Sequence, residues 1–299
     1  MNQQRETRLG ILFIICSGFF FALMALGIRV AGDLPTLEKS LFRNALALII
    51  ATVAIVKNKV SLKWKEGNFW PMFGRAVLGT MGLVCNFYAN DHMNIADANV
   101  LNKLSPFMVL IFSAILLKEN FKLPHFLIVL GAFIGCLFIV KPTFNFQEML
   151  PALAGMFGGI SAGFALTMVR LMGKRKENSM LIVFYFSLVS TVSILPFVIF
   201  NFVPFTWHQF IGLALAGIGG CGGQICITNA YKHAPAREIS VFDYSQVIFS
   251  AIFGMIFLNQ IPDIYSVIGY IIMLLMGIAL FKYNKKEYLK EQNAQLSEE

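Results

Sequence analysis

Three charged residues lie where so apolar a chain should carry none. Arg43, Lys103 and Asp243 each sit about two turns inside a long apolar run. A charge at membrane depth is costly and is kept against a bundle interior or an aqueous cavity. The three are read as facing a polar pathway, with a structural pair or a locally water-filled interior as the alternative. Lys103 and Arg43 suit a carboxylate; Asp243 suits an amine or a coupling proton. Asn99 and Asn102 lie beside Lys103, and Tyr244 and Gln246 adjoin Asp243. Asn99 and Lys103 are four residues apart, so they share a helix face. Asn102 falls about 100° around from Lys103. Uncharged polar side chains also serve as interhelical glue. Arg29 and Arg75 stand nearer the ends of their runs, where a long side chain reaches the headgroups.

Other chemistries find no set of residues. His92, His125, His208 and His233 are scattered at or near loops, with no HExxH, GxSxG or paired aspartates at membrane depth. Cys16, Cys85, Cys136, Cys221 and Cys226 all fall in apolar segments without a CxxC. The reading is a protein that is not an enzyme, with no metal and no cofactor.

The elements that position these charges are membrane helices. The chain has 299 residues, 57% of them hydrophobic and 13% charged. Its mean hydropathy is +0.70. Soluble domains carry roughly 25% charged residues. Apolar runs near spanning length recur at about 9–31, 36–56, 71–91, 95–117, 124–140, 149–172, 180–200, 209–231, 236–258 and 263–281. Each must satisfy its own backbone in lipid, which predicts helices. The first run is read as a span and not as a cleaved leader. The formal charge of +8 comes from short loops and implies no nucleic-acid partner. If the N-terminus is inside, the inner segments hold nearly all the loop lysines and arginines, including Lys57, Lys122, Lys174, Lys232, Arg237 and Lys290. The outer ones hold only Lys39 and Lys141. The positive-inside rule then places both termini in the cytoplasm. Trp64, Trp70 and Trp207 stand at span ends as interfacial anchors.

The stretch "ADANVLNKLSPFMVLIFSAILLKEN" (96–120) aligns without gaps on "AREISVFDYSQVIFSAIFGMIFLNQ" (236–260) at an offset of 140. Ala96 meets Ala236, Ser105 meets Ser245, and Lys103 meets Asp243. A proline follows each stretch (Pro124, Pro262), then a glycine-containing span. Five spans per half is an odd number, so the second half enters from the opposite side. The expectation is an all-α integral membrane protein of ten transmembrane helices, built as a 5+5 inverted-topology repeat. The halves are 1–145 and 146–282, with a cytoplasmic tail at 283–299. Seven residues of helix put Lys103 and Asp243 each about 10 Å from its own face, so about 10 Å of a core about 30 Å thick separates them. A direct salt bridge is not implied by this count, and discontinuous helix starts would change the distance. The glycine-rich stretches 154–163 and 216–223 predict close helix packing, with local unwinding as the alternative in the second.

With a span that ends in a polar residue (Glu119, Asn259) before a glycine-containing span in each half, the chain resembles EamA-type members of the drug/metabolite transporter superfamily. The resemblance covers about 9–281. It implies a secondary transporter in a bacterial-type inner membrane, whose relatives move amino acids, nucleosides, sugars and other metabolites, mostly outward. The small four-span multidrug members use a glutamate in their first span. Here that span has no acid, and the nearest is Asp33 in the following loop. Proton-driven export of cationic drugs by that route does not carry over. The functional expectation is efflux of a small polar solute, an amino acid or another zwitterionic or anionic metabolite, by alternating access. Its partners are the solute, a coupling proton or ion, and membrane lipid. Lys103, Asp243, Arg43, Asn99, Asn102 and Tyr244 line the site. A channel or a non-transporting scaffold is the alternative, and an intramembrane enzyme the weaker one.

Overall fold

The computed structural model describes residues 2–118, 122–141, 146–233 and 240–298. Glu119, Ala236 and Arg237 lie outside these residues, as do the side chains of Lys174, Lys232 and Lys290. The first half comprises α1 (Asn2–Val30), α2 (Thr36–Lys57), α3 (Phe69–His92), α4 (Ile95–Asn102), α5 (Ser105–Leu116) and α6 (Leu123–Val140). The second comprises α7 (Phe146–Lys174), α8 (Ser179–Phe200), α9 (Trp207–His233), a 3-10 turn (Ser240–Tyr244), α10 (Ser245–Leu258) and α11 (Ile264–Glu298). Helices α4 and α5 together make one span. The 3-10 turn and α10 make another, so the protein has ten membrane-crossing segments. Among the described residues, eight helical segments are long and apolar enough to cross a membrane on length and composition. The other two are α3, which carries Arg75, Asn86, Asn90 and Asp91, and the short Phe242–Leu258.

Local chemistry sets the helix ends. Asn94 caps α4 by accepting from the Ala96 N–H, and Asn178 caps α8 through Met180. Pro106 sits in the first turn of α5, where a missing N–H costs nothing. Lys141 and Asn259 take left-handed conformations after α6 and α10, which stops each helix. Helix α11 continues past the expected span end at 281 to Glu298.

The packing has the symmetry that the repeat predicts. Helix α1 packs along α9, and its counterpart α7 packs along α3. The pairs α2–α8 and α6–α11 each join equivalent spans of the two halves. The contact of α2 with α9 is matched by that of α8 with α3. Exchange of the halves therefore maps the principal contacts onto themselves, as a pseudo-two-fold axis in the membrane plane requires.

Lipid tails are as apolar as the side chains, so close contact must hold these seams. Glycine makes it possible. A Cβ on Gly27 would lie 2.4 Å from the Ala216 backbone nitrogen, and one on Gly219 would lie 2.5 Å from that of Met24. On the other side, Gly82 and Gly158 bring α3 and α7 together. Gly18 of α1 meets Ser245 and Gln246, as Gly163 of α7 meets Ser105 and Met108. Helix α9 is continuous through its glycine run, so those glycines serve packing there and the helix does not unwind.

Candidate functional site

The fourth and ninth spans both break at the same repeat position. Helix α4 stops at Asn102, where the Lys103 N–H donates to Val100 O (2.9 Å) and the Leu104 N–H to Leu101 O (3.1 Å). Helix α5 restarts at Ser105 with Pro106 behind it. In the other half the 3-10 turn ends at Tyr244 and α10 starts at Ser245. The span expected as one helix over 95–117 is thus two.

At these breaks Lys103 Nζ donates to Asp243 Oδ2 at 2.5 Å, across a sequence separation of 140. The residue count along straight helices left this contact open. It placed only the Cα atoms. The 3-10 turn rises about 2.0 Å per residue instead of 1.5 Å. The flexible four-carbon stem of lysine then closes the remaining gap. The pair is largely withdrawn from solvent, with side-chain exposures of 9% for Lys103 and 22% for Asp243. Asp243 Oδ1 is buried without a partner among the described residues.

Asn99 knits the same seam. Its Nδ2 donates to Ser250 Oγ (2.9 Å) and Ile95 O (2.8 Å), and its Oδ1 accepts from Gln246 Nε2 (2.7 Å). Sequence reasoning did not single out Ser250. Its signal was available, since it lies one turn beyond Gln246 on the same helix.

The other expected residues point elsewhere. Asn102 is half-buried, and its backbone abuts Gly159 of α7. Tyr244 turns its ring onto Gly277 of α11, within the apolar core around Phe107, Cys136 and Met273. Arg43 is buried in the seam of α2 with α9, beside Gly220, and its Nη1 donates to Asn44 Oδ1 at 2.9 Å. Arg75 does not run out along the headgroups. Its guanidinium carbon stands 4.0 Å from the Phe186 ring centroid. No hydrogen bond among the described residues joins Arg43 to the Lys103–Asp243 pair.

Both ends of the bundle are clasped. At the end carrying the termini, Asn68 Nδ2 and the Lys65 N–H both donate to Glu177 Oε2 (2.7 and 2.8 Å). Arg175 Nη1 donates to Gly67 O (2.6 Å), and the Tyr185 hydroxyl to Leu62 O (2.8 Å). Burial pushes the Glu177 carboxyl up. The hydrogen bonds from Asn68, Lys65 and Asn178 outweigh that and hold it below the usual glutamate range. At the opposite end, fully buried Lys39 donates to Asp91 Oδ1 (2.6 Å) and to Gly32 O (2.5 Å). That pair borders a depression of about 610 Å³ lined by Arg29, Asp33, Thr36, Tyr88, Asp91 and His92. Lys141 pairs with Asp263 there, and this contact keeps the Asp263 carboxyl below its ordinary value.

Two inverted five-span halves, with a paired charge where their broken helices meet, define a multi-pass membrane transporter. The EamA-like transporter family model matches residues 8–141 and 149–282, and the chain belongs to that family. The pseudopaline exporter CntI of Pseudomonas aeruginosa is 32% identical over 280 residues, covering 92% of this chain and 97% of that protein. Human solute carrier family 35 member G1 is 30% identical over 275 residues, covering 87% of this chain and 75% of the relative. A protein of known crystal structure shares the fold, with a TM-score of 0.65 at 15% identity over 90% of this chain and 96% of that one. The family and these relatives are transporters, and this protein is not an enzyme.

Proposed function

We propose that the protein is a secondary transporter that moves a small zwitterionic or anionic metabolite outward across the cytoplasmic membrane by alternating access. Its two moving halves are 1–145 and 146–282. Both termini and the tail 283–299 lie in the cytoplasm, on the side where the basic loops gather. The observation that carries the reading is the Lys103–Asp243 ion pair. It joins repeat-equivalent positions, so it lies on the pseudo-two-fold axis, where one site is equally reachable from either side. Buried charges at such a point mark solute and ion pathways. The solute, or a coupling proton on Asp243, opens the pair during the cycle. Asn99, held by Gln246 and Ser250, fixes one wall, while Asn102, Tyr244 and Arg43 lie in neighbouring seams and do not face the pair. The relative named for pseudopaline export supports the outward direction.

The test is counterflow in proteoliposomes with a panel of labelled amino acids, dicarboxylates and pseudopaline. Saturable, trans-stimulated flux of one solute is expected in the wild type. Lys103→Ala and Asp243→Ala should each abolish it while the protein still elutes as a folded species. Undiminished flux in both variants would remove the pair from the site.

A further inference from the structure

We infer that Glu38 is a proton-binding site at the end of the bundle opposite the termini, where the neutral acid latches an outer gate shut. The inference rests on the alternating-access reading above and adds a proton site distinct from Asp243. It starts from a match between the two ends. A glutamate stands near the start of the second span of each half, Glu38 in the first turn of α2 and Glu177 two residues before α8. Each accepts from the segment that leads into the third span of the other half. Glu177 Oε2 takes the Lys65 N–H and Asn68 Nδ2 ahead of α3. Glu38 Oε2 takes the Val203 N–H ahead of α9. Exchange of the halves therefore carries one latch onto the other, and each ties the halves together at one end only. The outer latch sits beside an apolar seal. Phe205 of the same loop meets Phe42 of α2 edge-on, with ring centroids 5.4 Å apart, against buried Ala31, Leu34 and Leu213.

The two latches suit different charges. Glu177 is half-buried and takes three donors, the third being the Asn178 N–H on Oε1 (3.1 Å). Its contacts of 2.7 and 2.8 Å have the length of charge-assisted bonds. Glu38 is fully buried, and its bond to Val203 is longer, at 3.3 Å. Its Oε1 is buried without a partner among the described residues. No cation bonds to Glu38 among those residues. Lys39 beside it turns to Asp91 and Gly32 O. Arg29, Asp33, Asp91 and His92 line the neighbouring depression, and His208 stands exposed in the first turn of α9. The end of α8, from 195 to 201, carries no titratable group. A carboxylate so placed bears its desolvation cost with little return. The helix start offers it only partial charges.

A proton from the outer medium relieves this cost. Placed on Oε1, it removes the charge and leaves Oε2 to accept from Val203, so the loop stays down. When the proton leaves, the carboxylate is better hydrated with the loop lifted, and the seal of Phe205 on Phe42 parts with it. The closed state holds the proton, so acid outside favours closure and alkali favours opening. Glu177 holds its loop as a carboxylate, and the two ends therefore answer pH in opposite senses.

The test uses the full-length protein in right-side-out membrane vesicles. The five native cysteines are replaced, and His92→Gln with His208→Gln removes the other titrations near the latch. Leu213→Cys, buried at the seal, is labelled from outside by a membrane-impermeant methanethiosulfonate. Exposed Asn201→Cys, labelled in parallel, corrects for the pH dependence of the thiol itself. Relative labelling of Leu213→Cys should rise about fivefold or more from pH 5 to pH 8. Glu38→Gln, a fixed neutral acceptor, should label slowly at both pH values, and Glu38→Ala, with no latch, quickly at both. If Glu38→Gln does not fold, Val203→Pro removes the N–H of the same bond and should also label quickly at both. The proposal is overturned if native Glu38 gives the same relative labelling at both pH values, or if Glu38→Gln keeps the pH response. Counterflow of a solute together with pH-independent labelling would sink the latch and leave the transporter reading standing. The expected labelling pattern without flux of any solute in the panel would sink that reading and leave the proton site in place.

Discussion

Lys103 and Asp243 stood out in the sequence because a charge two turns into an apolar run has few reasons to be there. Their partnership did not, because a residue count fixes the height of a Cα and says nothing of where a helix breaks or how far a lysine reaches. The same limit hid Arg75, whose place near a span end suggested the headgroups while its guanidinium lies over Phe186. The ion pair makes a prediction at this scale. Removal of one partner from a largely buried pair leaves the other charge without compensation, at a cost of about 3–5 kcal/mol. Asp243 keeps 22% exposure, which favours the lower end of that range. Lys103→Ala should thus lower the unfolding free energy by about 3 kcal/mol in a reversible denaturation assay. The symmetry adds a sharper expectation. The two positions exchange under the pseudo-two-fold axis, so Lys103→Asp with Asp243→Lys should rebuild the bridge and recover most of that loss. A double variant as unstable as the sum of the singles would show that the surroundings, and not the pair, set the stability.

At the element scale the ten spans were legible, since eight of the described segments are apolar enough and of spanning length, and α3 and the ninth span follow from a more polar and a shorter apolar run. The break at Ser105 had a signal in Pro106, because the residue before a proline is biased away from helix. The matching break at Ser245 had none of its own and was readable only through the repeat. The glycine runs were read correctly as packing surfaces, and the atoms that they meet allow a graded prediction. A methyl group at Gly219 would press on the Met24 backbone nitrogen and the Phe20 carbonyl, neither of which can turn aside as a side chain does. Gly219→Ala should destabilise by about 1–3 kcal/mol, the usual range for overpacking. Gly173 has nothing within 4 Å of the same added carbon. Gly173→Ala should be neutral, or stabilising by up to about 1 kcal/mol through helix propensity. Thermal midpoints of the two variants in one detergent give the comparison. Equal shifts would mean that the α1–α9 seam relaxes more freely than its backbone contacts imply.

For the whole molecule, the repeat in the sequence anticipated the exchange of contacts between halves, but not how the ends are held, because loop contacts obey no periodicity. The ends differ in a way that bears on alternating access. Helices α6 and α11 are tied at one end by Lys122 with Glu287 and at the other by Lys141 with Asp263, and Gly135 and Gly269 pack them closely between. A pair clasped at both ends has no side to open. The loops after α2 and α7 meet at only one end, through Asn68, Lys65 and Glu177. Opening toward that end must part them. The Glu177 carboxyl is held below the usual glutamate range, so the clasp contributes in full above that range. It is lost only as pH falls through the lowered value, and neutral or mildly acidic conditions should leave it closed. The decisive comparison uses a background without the five native cysteines. A disulfide between Asn68→Cys and Glu177→Cys should abolish flux, and reduction should restore it. One between Lys141→Cys and Asp263→Cys should leave flux within about twofold of the reduced protein, a difference worth only about 0.4 kcal/mol in a barrier. Loss of flux in both would make α6 and α11 part of the moving gate. Retention in both would mean that the loops after α2 and α7 stay together throughout transport.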